Sequence, residues 1–177
     1  MKPSNYFGLY EMPISFTVDK KALKKKFYAL SRQFHPDFYT QESEAKQQEI
    51  LELSSINNQA YKVLKDFDKR MKYILDIKGI IKEEGKNSLP QMFLMEMMDI
   101  NEALMELEFD FDENNYNQVK NDLQQLNDTL YKSVQLIIEN YNDAVITEAE
   151  LNKLKNYYFK RKYLLRIQEN LSKFAPL

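Results

Sequence analysis

One histidine occurs in 177 residues. It is His35, in the run "LSRQFHPDFYT", directly before Pro36 and Asp37. An imidazole beside a carboxylate can serve acid–base chemistry, metal binding or a docking contact. Acid–base catalysis needs a second titratable group or a nucleophile held in the same pocket, and the residues around His35 place none. Cysteine is absent, which removes disulfides and thiolate metal or cluster sites; with a single histidine, only an all-carboxylate metal site stays conceivable. No glycine-rich phosphate loop or dinucleotide fingerprint occurs. The chain is therefore expected to carry no catalytic residue, no metal site and no cofactor. An enzyme using His35 as a base is an idea without supporting partners.

The elements that must hold His35 follow from the rest of the chain. Apolar residues make up 44% and charged residues 29%, enough to bury a core. Only three glycines and five prolines interrupt it, and the β-branched enrichment of strands is missing. The expected fold class is all-α. In "VDKKALKKKFYALSRQF", Leu23, Phe27, Leu30 and Phe34 recur at helical spacing. Asp19 is placed to cap this helix, and Pro36 ends it because proline disfavours helical geometry at the preceding residue. A second stripe, Leu53, Ile56, Ala60, Val63 and Leu64, predicts a helix from about residue 42 to 65. The two form an antiparallel hairpin with His35 in the loop at 35–41. "YFGLYEMP" predicts a short leading turn, and "DKRMKYILDI" a short closing helix.

Two glycines and a proline in "GIIKEEGKNSLP" mark a joint at 79–90, between a first domain, 1–78, and a second, 91–177. Beyond the joint, segments at about 90–108, 113–140 and 147–174 predict a three-helix bundle. "MKPSNYFGLYEMP" has no signal-like apolar core, and no apolar run is long enough to span a membrane. The expectation is a cytoplasmic protein that engages no membrane. A net charge of −2 argues against nucleic acid as a partner. The charge is divided: residues 1–78 carry 14 Lys and Arg against 10 Asp and Glu, and the remainder carries 11 against 17.

Two faces are left over once the core stripes are assigned. On the first helix, Lys21, Lys25 and Arg32 lie opposite Leu23, with Lys24 and Tyr28 beside them. This is either a solvated face or a basic docking strip for an acidic partner. In "PQMFLMEMMDINEALMELE", the stripe Phe93, Met97, Ile100, Leu104 and Leu107 already supplies a core face. Leu94, Met98 and Met105 lie about 100–140° away by helical geometry, with Met95 further round. Asp99, Glu102 and Glu106 border them, and residues 94–113 hold eight acidic residues and no Lys or Arg. Either the bundle buries a wide arc of this helix between two neighbours, or the face is an apolar patch with an acidic rim that suits a Lys- or Arg-edged partner. The last helix brings Leu154, Tyr157, Leu164, Leu171 and Phe174 to the core. Its Lys160, Arg161, Lys162 and Arg166 are expected to match the acidic helix internally.

The His-Pro-Asp tripeptide should occur by chance on the order of 1% of the time in a chain of this length, from average residue usage. Its place between two amphipathic helices is much more specific. His35-Pro36-Asp37 after the basic helix resembles the signature of J-domains, which activate the ATPase of DnaK-type chaperones. "YFGLY", "INNQAYKVL", "RMKYILDIKGI" and "FLMEMMDINEALMELE" resemble the HscB family, the J-type co-chaperones of iron–sulfur cluster assembly, over nearly the whole chain. The resemblance implies that 1–78 is a J-domain. His35, Pro36 and Asp37 would trigger a DnaK- or HscA-type partner, with Lys21, Lys25 and Arg32 supplying electrostatic docking. It also implies that Leu94, Met95, Met98, Asp99, Glu102 and Glu106, with Tyr163 on the last helix, bind an iron–sulfur scaffold of the IscU type. Phe38 departs from the lysine that many J-domains carry there. Met98 and Asp99 stand where leucine and glutamate are familiar. The alternative is a J-domain protein whose bundle serves dimerisation or another client.

Overall fold

The computed structural model of the protein describes residues 5–81 and 89–174. Among them every regular element is helical, and no helix is long and apolar enough to cross a membrane. Two compact units form: Met1–Ile77 with Tyr141–Val145, and Lys78–Asn140 with Ile146–Leu177.

The first unit contains α1 (Tyr6–Leu9), α2 (Lys20–Gln33), a 3-10 turn (Pro36–Tyr39), α3 (Glu44–Leu64) and α4 (Phe67–Ile77). The Asp19 carboxylate accepts from the Lys21 and Ala22 amides at 2.8 and 3.1 Å, which fixes the start of α2 as expected. Ser43 caps α3 in the same way. Leu23 of α2 and Ala60 and Leu64 of α3 are fully buried, together with Phe7, Met71 and Ile74. Two buried polar groups hold this core in register. The Tyr10 hydroxyl donates to the Asn57 side-chain oxygen at 2.8 Å, and the Asn57 amide donates to the Ser31 hydroxyl at 3.0 Å. The Arg70 guanidinium donates to the carbonyls of Phe16 and Leu64. The segment Tyr141–Val145 also contributes: Tyr141 meets Phe16 edge to face with ring centroids 4.7 Å apart.

The second unit contains α5 (Gln91–Glu96), α6 (Met98–Phe109), α7 (Glu113–Glu139) and α8 (Glu148–Ser172). Its core is built from Phe93, Met97, Leu107, Leu123, Leu164 and Leu171, with further residues of α7 and α8. A capping box between Thr147 and Glu150 starts α8. Of the segment 79–90, residues 82–88 lie outside the described ones. Gly79 takes φ +68, a left-handed conformation that glycine adopts without strain.

One expected helix is two. The segment at 90–108 divides at Met97, whose own backbone stays right-handed helical. The Asn101 side chain donates to the Met97 carbonyl at 2.7 Å, an i−4 contact of the kind that bends helices. Phe93 and Met97 nevertheless both reach the core, so the break costs no burial there.

Candidate functional site

The loop after α2 is built by its own backbone. The Phe34 amide donates to the Leu30 carbonyl at 2.8 Å and closes the helix. His35 then turns to extended backbone (φ −75, ψ 121), as a residue before proline must. Pro36 opens the 3-10 turn, in which the Phe38 amide donates to the His35 carbonyl at 3.1 Å. His35 Nδ1 accepts from the Asp37 amide at 3.4 Å and lies 3.7 Å from the Asp37 carboxylate. Nδ1 is thus turned toward Asp37, to its amide and its carboxylate alike. The Tyr39 hydroxyl donates to the Gln33 carbonyl at 2.9 Å and ties the loop to the end of α2. Gln47 Nε2 donates to the Glu42 carbonyl at 2.8 Å at the other end.

His35 and Asp37 are exposed, and so is Phe38, at 68%, with its ring centroid 5.5 Å from that of His35. Lys21, Lys25 and Arg32 are exposed along α2. Lys26 differs: it folds back onto the Tyr10 and Glu11 carbonyls. The loop is therefore a hydrogen-bonded, solvent-facing knuckle at the end of a basic helix. Among the described residues no cluster of His, Asp or Glu could hold a metal ion.

The second unit resolves the surplus apolar face. Leu94 is partly exposed, while Met95 and Met98 are 62% and 65% exposed. The bundle does not bury a wide arc of α5 and α6. Helices α7 and α8 cover only the Phe93–Leu107 side, because three helices offer each other one face apiece. Asp99, Glu102 and Glu106 are exposed around these side chains. Tyr163 comes to the same place from α8. Its ring packs edge to face on Phe93, 5.8 Å between centroids, and its hydroxyl accepts from Asn101 Nδ2 at 3.0 Å. Asn101 has no apolar or charge signature, so periodicity overlooks it. Its amide is the link that joins α6 to Tyr163. Beside Tyr163 a groove of about 600 Å³ opens between α6 and α8, lined in part by Leu104, Met105, Lys173 and Phe174.

The expected charge match between α8 and the acidic helix is not how Lys160 and Arg166 are used. Lys160 Nζ sits 5.0 Å from the centre of the Phe93 ring, and the Arg166 guanidinium carbon 5.1 Å from that of Tyr163. Both cations rest on rings within the bundle, while Asp99 and Glu102 are exposed and the Glu106 carboxylate accepts from Asn115 Nδ2 at 3.4 Å.

Comparison with known proteins assigns the chain. Residues 10–73 match the DnaJ domain, and residues 89–172 match the HSCB C-terminal oligomerisation domain. Co-chaperone protein HscB of Buchnera aphidicola subsp. Acyrthosiphon pisum is 39% identical over 124 residues, covering 69% of each chain. This chain belongs to the HscB family of co-chaperones. An HscB homolog of Vibrio cholerae is 39% identical over 101 residues, 56% of this chain and 59% of that protein. Two solved HscB structures share the fold. The Vibrio cholerae chaperone superposes with a TM-score of 0.73 at 25% identity over 96% of both chains. The human co-chaperone does so with 0.79 at 27% identity, over 100% of this chain and 85% of its own.

Proposed function

We propose that this HscB-family chain brings an iron–sulfur scaffold of the IscU type to an ATPase chaperone of the DnaK or HscA type and stimulates that chaperone's ATPase. The chain does no chemistry itself. His35, Pro36 and Asp37 engage the chaperone, and Lys21, Lys25 and Arg32 steer it electrostatically. Leu94, Met95, Met98, Asp99, Glu102, Glu106 and Tyr163 hold the scaffold. The working division is a chaperone-docking domain at 1–78, a joint at 79–90 and a client-binding domain at 91–177, acting in the cytoplasm.

The observation that carries this reading is the exposed Leu94–Met95–Met98 face on a helix pair whose core side is already filled. An apolar surface with a charged rim is what a specific protein partner covers. Two variants test it in a single-turnover ATPase assay with the cognate chaperone and scaffold. His35→Gln should lower stimulation about tenfold or more, as loss of an interface hot spot does, while leaving scaffold capture intact. Met98→Ser should do the reverse, weakening capture and sparing the basal stimulation. Undiminished stimulation by His35→Gln would remove the J-domain role.

A further inference from the structure

Beyond Met98 the exposed face does not end. At 100° per residue, Met98, Glu102, Met105 and Phe109 fall within about 60° of one another on α6, and they run about 16 Å along it. Met105 is 63% exposed and Phe109 92% exposed, the latter the most open large apolar side chain among the described residues. A helix that needs one apolar face to fold has no use for these side chains in water. Met105 also lines the groove beside Tyr163, so the extension is continuous with the scaffold patch on two sides.

We infer that the client-binding surface extends along α6 through Met105 to Phe109, and that its occupant is the scaffold itself, through an apolar strip edged by lysine or arginine. This rests on the function proposed above. Charge decides against a second copy of this chain. A two-fold symmetric contact on this face would set the same patch against itself. Asp99, Glu102, Glu106 and Glu108 would then face their own counterparts, with no Lys or Arg between residues 94 and 113 and Lys173 of the groove the single cation set against the four. A partner with the opposite rim pairs with all four.

Titration of the cognate IscU-type scaffold into the full chain tests this. Met105→Ser should weaken binding about fivefold and Phe109→Ser about tenfold, as loss of buried interface anchors does. Both side chains are exposed, so circular dichroism and melting should match the parent. If Met98→Ser weakens binding and the Met105 and Phe109 variants bind like the parent, the extension is wrong and the shorter patch stands. If the parent chain fails to bind scaffold, both readings fall together. Sedimentation of the chain alone adds a further check: a concentration-dependent dimer abolished by Phe109→Ser would reassign the face to self-association.

Discussion

Tyr10 and Asn57 meet in the interior of the first unit, where an unpaired polar group would be costly. Burial pushes the Tyr10 hydroxyl's pKa well above the ordinary tyrosine value, with the neighbouring Tyr61 adding to it. Burial also raises Tyr73 and Tyr141. The folded state thus holds these protons more tightly than the unfolded chain. The stability they contribute is complete below about pH 10 and is lost as pH climbs through the unfolded value toward the raised folded one. Tyr10→Phe removes one of these groups and orphans part of Asn57. It should cost about 1–2 kcal/mol near neutral pH and make the alkaline loss shallower without abolishing it. Urea titrations at several pH values would check this; an unchanged alkaline slope would mean that Tyr10 is not among the groups responsible.

Among the elements, α5, α6 and α8 are coupled by one amide. Asn101 Nδ2 reaches the Met97 carbonyl at the break and the Tyr163 hydroxyl across the bundle. Fixing the ring before binding lowers the ordering cost that association would otherwise meet. Asn101→Ala and Tyr163→Phe should each weaken scaffold binding about fivefold, the worth of one hydrogen bond. The double variant should be no weaker than Asn101→Ala alone, because that change already removes the contact with the Tyr163 hydroxyl. Fully additive losses would show that Asn101 acts through something other than the hydroxyl. Element boundaries were otherwise largely legible. Asp19 and Pro36 bound α2 at the two ends they marked in the sequence, since capping and the pre-proline restriction act within a few residues. The break at Met97 was not legible, because nothing in the spacing of Phe93, Met97 and Ile100 departs from a continuous helix.

For the whole molecule, the function proposed requires both surfaces on one chain. On that proposal, a client held by the second unit would be presented to the chaperone at high effective concentration. A mixture of His35→Gln and Met98→Ser chains contains both intact surfaces, but on separate molecules. It should not restore scaffold-dependent ATPase stimulation at concentrations where the parent chain saturates it. Full recovery in the mixture would mean that the two surfaces work independently.

The sequence by itself determined the helices, their main caps and the exposed His-Pro-Asp turn. Each of these is set by contacts within about one helical turn: a carboxylate on nearby amides, a proline ring against the residue before it, a period of 3.6. The tertiary structure decided what those elements do to each other. It left Leu94, Met98 and Met105 uncovered, since coverage depends on how many helices arrive from elsewhere in the chain. It laid Lys160 and Arg166 on rings and left Asp99 and Glu102 exposed on α6. It buried Asn57 and Arg70 against carbonyls and hydroxyls tens of residues away in most cases. No periodicity marks a polar residue for that role, because its partners become neighbours only after the chain has folded.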